Sequence, residues 1–186
     1  MPLNSSSPYN QLQNNFLAAG STSMPLAGTV YWLIVAVASV YLPPHSVAMI
    51  VLIGSGMILP AGFLIDKLRG LDKHKADMTG NPLLPMFLKG TAVVALLWPL
   101  VIVAAQAAKE PNLIVLGGAV LMALVWIPYG SAADDPVGMQ HAVGRTLASY
   151  GAYLFAPAPY TATAISVVVV LSYAYTVLRM KRPGGD

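Results

Sequence analysis

Residues 86–107 read MFLKGTAVVALLWPLVIVAAQA, a run of 22 residues with a single charged side chain, Lys89. An α-helix needs about 20 predominantly apolar residues to cross a hydrocarbon core of about 30 Å. Uncharged apolar stretches of this length are typical of transmembrane helices and rare in soluble proteins. The stretch therefore predicts a helix that spans a membrane.

Four further stretches are comparably apolar, and they lie at about 26–42, 46–65, 113–129 and 160–178. A sixth, 136–155, has helical features but carries more polar side chains. Only 9% of the chain is charged, against about 25% in soluble domains, and its mean hydropathy is +0.67. We therefore expect an all-α, polytopic transmembrane helical bundle of about six helices, which forms a single domain over residues 24–179.

The N-terminal segment, residues 1–23, lacks the basic and apolar regions of a secretory signal. Ser7 followed by Pro8 is typical of a helix start, which predicts a short interfacial helix on the membrane surface. A flexible tail rich in Asn, Gln and Ser is the alternative, because helices that bind membrane surfaces usually carry Lys or Arg on their polar face.

Basic residues are concentrated on one side of the predicted membrane. The loop at 66–85 holds four Lys and Arg, residues 180–186 form a basic C-terminal tail, and the short turns on the opposite side contribute Lys109 alone. Cytoplasmic loops are enriched in Lys and Arg. This distribution predicts that the N- and C-termini are both cytoplasmic.

Three short motifs resemble those of a known family: ILPAGFLI at 58–65 before the basic loop, GNPL at 80–83, and WIPY at 126–129. Over residues 24–178 the chain resembles an uncharacterised family of small bacterial multi-pass membrane proteins, catalogued as a domain of unknown function. The chain departs from that family's pattern at 130–135, where GSAADD replaces a more aromatic and basic turn. The resemblance implies several helices in a bacterial cytoplasmic (inner) membrane, and it transfers no functional residue.

Several kinds of chemistry are disfavoured by the residues that the sequence lacks. The chain has no Cys, and its three His, at 45, 74 and 141, are isolated from one another. H-E-x-x-H, phosphate-binding and dinucleotide-binding motifs are absent as well. We therefore assign no catalytic residue, no metal ligand and no cofactor. Because Lys and Arg lie scattered at the ends of the spans, we also expect no nucleic-acid partner.

Ionisable side chains at membrane depth are costly, which makes them candidates for function. His141 and Arg145 are one helical turn apart, and Lys89 lies near the same membrane face. Together with Trp126 and Tyr129, these residues predict a cationic, aromatic-lined binding site that faces the cytoplasm and suits an anionic group. The alternative is that Lys89 snorkels to the interface, Arg145 pairs with Asp134 or Asp135, and the aromatics belong to the interfacial belt.

Three functions are compatible with this pattern. The first is binding or transport of a small amphipathic or anionic molecule in contact with membrane lipids. The second is a structural or accessory subunit, in a homo-oligomer or a membrane complex, that packs through the small residues Gly144, Ala148 and Ala152 or through the Gly117-Gly118 face. The third, and least favoured, is an intramembrane lipid-modifying enzyme that uses His141 as acid or base with Asp135 or Tyr129.

Overall fold

A computed structural model describes residues 7–19, 23–70 and 80–181 of the chain. Over these residues the protein is all-helical, and its seven helices are α1 (Tyr9–Ala19), α2 (Met24–Tyr41), α3 (Pro44–Leu68), α4 (Leu83–Ala108), α5 (Asn112–Ala133), α6 (Pro136–Phe155) and α7 (Thr161–Arg179). Helices α2, α3, α4, α5 and α7 are long and apolar enough to cross a membrane, whereas α6 is as long but more polar. The predicted all-α bundle is confirmed.

The helices end where the sequence supplies a specific stop or cap. Only Leu42 and Pro43 separate α2 from α3, so these two helices form a tight hairpin. Lys109 and Asp134 adopt left-handed backbone conformations that close α4 and α5. The Asp135 side chain accepts a hydrogen bond from the Val137 amide at the start of α6, which is an ordinary N-cap.

Three of the spanning helices are interrupted one turn before an internal proline. Proline has no N–H, so the carbonyl four residues earlier loses its helical partner. Pro60, Pro99 and Pro128 are the prolines concerned. The helix is interrupted before Pro60 by a single 3₁₀ turn at Ser55–Met57, before Pro99 by a break at Leu96 and Leu97, and before Pro128 by one turn residue at Val125. Helix α4 is therefore interrupted beside Pro99.

Helix α7 lies at the centre of the bundle, where it packs against α2, α5 and α6. The core is built from apolar side chains of α2, α3, α5, α6 and α7, among them Trp32, Val35, Val51, Ala119, Ile165 and Val169. Helix α4 lies at the edge of the bundle. Only 6% of its most apolar 18-residue stretch is buried inside the protein. Most of α4 therefore faces the surroundings, which for such a sequence means lipid.

The Gly117-Gly118 face of α5 is used inside the bundle. A Cβ atom at Gly117 would collide with the Val101 side chain of α4, and one at Gly118 would lie 2.6 Å from a methyl group of Val51 on α3. Both glycines are buried. The close approach at this face therefore serves the contacts of α5 with α3 and α4.

Helix α5 continues beyond Tyr129, the end predicted from the sequence, as far as Ala133. Gly130 and Ser131 resemble turn residues in isolation. In the fold, however, Gly130 lies directly against Gly138 of α6. The absence of two side chains lets α5 and α6 meet backbone to backbone, so packing with α6 extends the helix past the expected turn.

Helix α1 lies against the bundle, across the ends of α4 and α5. Its buried side chains are Leu12, Phe16 and Leu17, and they pack with Leu83, Phe87, Tyr129, Ala132 and Ala133. The Asn81 side chain donates to the Leu12 carbonyl at 2.9 Å and to Asn15 Oδ1 at 2.8 Å, and it accepts from the Leu83 amide at 3.0 Å. The apolar side of α1 is thus covered by protein.

Replacing Asn81 with alanine should loosen α1 without unfolding the bundle. The change removes two donors that hold α1 to the start of α4, and each such bond contributes about 1 kcal/mol. Hydrogen exchange of the amides in residues 9–19 should therefore accelerate about thirtyfold. Asn14→Ala, at an exposed position of α1, is the control and should leave exchange unchanged. Equal protection in the two variants would show that Asn81 does not hold α1.

Candidate functional site

Arg145 is a buried cation in the middle of helix α6. It lies nine residues beyond Pro136, which corresponds to about 13 Å along a helix of about 30 Å. Its side chain is 1% exposed. A guanidinium at this depth cannot reach water by extending along the helix, so its neighbours must supply whatever stabilises it.

Two aromatic rings face the Arg145 guanidinium. Its carbon lies 5.6 Å from the centroid of the Trp32 ring on α2 and 5.1 Å from that of the Tyr173 ring on α7. Both distances are within cation–π range, in which a desolvated contact contributes about 2 kcal/mol. The two contacts explain why α2 and α7 present an aromatic residue at the level of Arg145.

His141 links Arg145 to α7. Arg145 Nη1 is 3.4 Å from His141 Nε2, and His141 Nδ1 is 2.6 Å from Thr176 Oγ1. Guanidinium nitrogens only donate, so Nε2 accepts and the imidazole carries its proton on Nδ1. Thr176 can then accept from His141 and donate to the Ser172 carbonyl at 2.9 Å. These partners assign His141 as a neutral imidazole within a directed chain of hydrogen bonds.

The Arg145 guanidinium lacks a counter-ion within the part of the chain that the structure describes. Its Nε and Nη2 atoms have no hydrogen-bond partner there, and neither do Trp32 Nε1 and Ser149 Oγ. Ser149 lies one turn further along α6. Each of these groups can donate a hydrogen bond. The interior around Arg145 therefore contains several buried hydrogen-bonding atoms, most of them donors only, that lack a partner among the described residues.

The two aspartates before α6 are engaged elsewhere. Asp135 accepts from the Val137 amide at 3.0 Å and, through its second oxygen, from the Lys181 amide at 2.8 Å. Asp134 is exposed and lies 3.7 Å from the Lys181 ammonium group. The alternative interpretation, in which one of them neutralises Arg145, is therefore wrong. Asp135 instead ties the start of α6 to the end of α7.

A cavity of about 450 Å³ lies along the seam between α6 and α7 and is open to one side. Its residues are Gln140, His141, Gly144, Arg145 and Ala148 of α6 with Val168, Leu171, Ser172 and Tyr175 of α7. Gly144, Ala148 and Leu171 are exposed at its rim, whereas His141 and Arg145 are buried at its base. We call this feature the α6–α7 groove.

The end of the α6–α7 groove nearest Pro136 is crossed by a hydrogen bond. The Tyr175 hydroxyl donates to Gln140 Oε1 at 2.6 Å and so joins α7 to α6. The side of the groove, in contrast, is bordered by Gly144 and Ala148, which have little or no side chain. The groove is therefore bridged at one end and open laterally.

The structure brings four of the five predicted site residues together. The Trp126 and His141 rings are 4.6 Å apart, the Trp126 and Tyr129 rings are 5.2 Å apart, and Arg145 contacts His141. Of these four residues, only His141 and Arg145 line the α6–α7 groove. Lys89 has an exposed side chain on α4 and does not line the groove either. The proposed role of Lys89 as a cationic partner of Arg145 thus receives no support from the geometry.

The sequence analysis did not place Trp32, Tyr173 and Thr176 at this site. Tyr173 and Thr176 are three residues apart and share one buried face of α7, which is a detectable helical pattern. Which face of α7 meets Arg145 depends on the packing of three helices. That packing is long-range information that local spacing does not contain.

The arrangement does not suggest a metal centre or an acid–base catalyst. No group of three or more His, Asp or Glu that could hold a metal ion occurs among the described residues, which leave out His74. Both ring nitrogens of His141 are engaged, and Asp135 is committed to the α6 cap. The roles considered for these two residues in a lipid-modifying enzyme are therefore not supported.

Comparison with known proteins gives a family and no activity. No curated protein and no solved structure matches the chain. One family model matches residues 10–181, and its description is a family of unknown function, DUF7010. The match includes every spanning helix and the α6–α7 groove, in agreement with the resemblance seen in the short sequence motifs. Because it covers nearly the whole chain, the protein belongs to this family of unknown function.

Proposed function

We propose that this membrane protein binds a small amphipathic anion in the α6–α7 groove, with Arg145 as the residue that holds the acidic group. One observation carries the proposal: a buried guanidinium lines a cavity and has two nitrogens without hydrogen-bond partners. In this proposal the chain lies in a bacterial inner membrane, with the Pro136 end of α6 toward the cytoplasm. Any transport of the anion would begin with this binding step.

The energetics favour an anionic ligand. Burying a single ion costs several kcal/mol even after relaxation, and two cation–π contacts recover only part of this. A carboxylate or phosphate at Arg145 would supply the missing charge, and it fits the planar guanidinium in a bidentate arrangement. Nε and Nη2 are fully buried in the ligand-free protein, so neighbouring side chains must move aside when the acid binds. Trp32 Nε1 and Ser149 Oγ likewise lack a partner among the described residues.

The surroundings favour a ligand that is apolar apart from its acidic group. The groove lies between two helices at membrane depth, and Val168, Leu171 and Ala148 contribute apolar walls. A small inorganic anion would leave these walls unfilled and would have to cross apolar lipid to reach them. An acid with a hydrocarbon chain would pair with Arg145 at the bottom of the groove, and its chain would fill the space between the apolar walls.

The proposal is tested by equilibrium binding of radiolabelled palmitate to the full-length protein in mild detergent. Unlabelled hexadecyl phosphate and methyl palmitate serve as competitors, because they keep the chain and differ in charge. Arg145→Gln is the test variant, and Lys89→Gln, which removes an exposed cation from α4, is the matched control. Hydrogen bonds to a charged group contribute about 1.5–3 kcal/mol, which corresponds to a change in affinity of about tenfold to a hundredfold.

We expect saturable palmitate binding that hexadecyl phosphate displaces and methyl palmitate does not. Arg145→Gln should weaken binding by at least about tenfold, whereas Lys89→Gln should stay within about twofold of the wild type. Competition by the neutral ester equal to that by the acids, or full binding by Arg145→Gln, would overturn the proposal. Thermal unfolding of each variant would verify that it is folded.

A further inference from the structure

We infer that the ligand is a single-chain lipid acid, and that it reaches Arg145 sideways from the bilayer, passing over Gly144 into the α6–α7 groove. The inference rests on the proposed function. It adds the route by which the ligand enters, the number of hydrocarbon chains in the ligand, and the residue that determines access. The route makes Gly144 the critical position, because any larger side chain there would stand between the lipid and Arg145.

Gly144 leaves the side of the groove open. A Cβ atom placed at Gly144 would have no neighbouring atom within 4 Å, so the space beside it is unfilled by the rest of the protein. Ala148, one turn further along α6, is also exposed. Arg145 stands between these two small residues in the sequence and lines the same cavity. The smallest side chains on this face of α6 therefore border the buried cation.

The opposite route, along the helices from the Pro136 end, is obstructed. The hydrogen bond from Tyr175 to Gln140 crosses the groove between that end and Arg145. Gln140 lies five residues before Arg145, or about 7 Å along the helix. A molecule that came from this end would have to break the hydrogen bond, whereas one that came laterally would not.

The dimensions of the groove favour one hydrocarbon chain. The cavity of about 450 Å³ is at the lower end of the range for ligand pockets, about 300–1,000 Å³. A cavity of this size that is open along one side suits a single extended chain, with the acidic group at Arg145 and the tail directed toward lipid.

The small residues of α6 have a competing explanation, because Gly144, Ala148 and Ala152 resemble a face on which another helix packs. Gly151 separates the two interpretations. It lies two turns beyond Gly144 on the same side of α6, also has no atom within 4 Å of a Cβ position, and does not line the groove. A helix partner on this face would be disturbed at both glycines, whereas a ligand in the groove would be disturbed only at Gly144.

The test compares Gly144→Leu, Gly151→Leu, Tyr175→Phe and Arg145→Gln in the full-length protein reconstituted in lipid nanodiscs. Each is photolabelled with a palmitate analogue that carries a mid-chain diazirine, and the labelled residues are mapped by mass spectrometry. Palmitate affinity, the association rate and the oligomeric state in detergent are measured in parallel. All four positions face the groove or open space, and thermal unfolding would verify that each variant is folded.

We expect the label on groove residues such as Val168 and Leu171 in the wild type and in Gly151→Leu. Gly144→Leu should lose this labelling and weaken palmitate binding by at least about tenfold, with an unchanged oligomeric state. If Arg145→Gln loses binding and Gly144→Leu retains it, the lateral route is overturned while the proposed function stands. If Arg145→Gln retains binding, the proposed function itself fails.

Two other results would also overturn the lateral route. An equal loss of binding in Gly151→Leu, accompanied by a change in oligomeric state, would assign the face to helix packing. Faster palmitate association in Tyr175→Phe would show that the ligand passes the Gln140 end of the groove.

Discussion

Arg145→Met should make the ligand-free protein more stable while it abolishes palmitate binding. Methionine retains an unbranched side chain that can fill the space between Trp32 and Tyr173, and it removes a charge that has no counter-ion among the described residues. An Arg at the centre of a membrane helix costs between about 2.5–3.5 kcal/mol on insertion scales and about 10–17 kcal/mol in simulations of an isolated helix, whereas the two cation–π contacts offset about 2 kcal/mol each. The cost of the charge should therefore dominate.

The gain should be about 1–3 kcal/mol, measured as an upward shift of the thermal midpoint of several degrees. Lys89→Met is the control, and because Lys89 is exposed its midpoint should change little. Saturating palmitate should then stabilise the wild type by about 2.7 kcal/mol at a hundred times the dissociation constant, and Arg145→Met not at all. A lower midpoint for Arg145→Met would show that Arg145 is a structural residue that the fold itself requires.

Gly138→Val should destabilise the bundle more than any other single substitution considered in this protein. A Cβ atom at Gly138 would lie 2.5 Å from both the Gly130 Cα atom and the Trp126 carbonyl oxygen. These are backbone atoms of α5, and they cannot move aside as a flexible side chain could. Helices α5 and α6 would have to separate, so we expect a loss of at least about 3 kcal/mol.

Gly144→Val on the same helix is the matched control for this change. Its Cβ would meet no atom within 4 Å, so any effect on stability should be limited to helix propensity, in which valine exceeds glycine by a few tenths of a kcal/mol. Thermal unfolding and size-exclusion chromatography in detergent measure the difference. Similar midpoints for Gly138→Val and Gly144→Val would contradict the close α5–α6 contact on which the position of Arg145 depends.

The helices could be predicted from the sequence because membrane insertion imposes local rules. Long apolar stretches mark the spans, and Pro99 and the Asp135 cap act within one turn of their own positions. The end of α5 was missed for the opposite reason. The contact between Gly130 and Gly138 joins two helices, and it overrides the turn preference of the residues after Tyr129.

The candidate site could be predicted in part, because some of its features are local to one helix and others depend on contacts between helices. His141 and Arg145 stand out because charged and titratable groups are rare inside a span, and one turn separates them on α6. Lys89 shares their predicted membrane level, yet the fold leaves its side chain exposed on α4, at the edge of the bundle. The depth of a residue in the membrane can be predicted from the sequence. Whether its side chain faces the interior of the bundle or the surroundings depends on helix packing.

The missing acceptor near Arg145 could not be predicted at all. The sequence offers Asp134 and Asp135 as natural partners, and only the fold shows that Lys181 and the α6 cap occupy them. A buried charge with no counter-ion in the described part of the chain is thus a property of the assembled bundle. This charge is also the feature that identifies one specific candidate site within the helical bundle.

The most direct test of a charge pair between Arg145 and a lipid acid is carbon-13 NMR of carboxyl-labelled palmitate bound to the protein in nanodiscs. The carboxyl resonance reports whether the acid is ionised. In the wild type we expect a bound signal that stays ionised as the pH is lowered, while palmitate in the surrounding lipid becomes protonated, because the guanidinium stabilises the charged form. Arg145→Met should lack this signal, and the same ionised signal in both proteins would contradict the account.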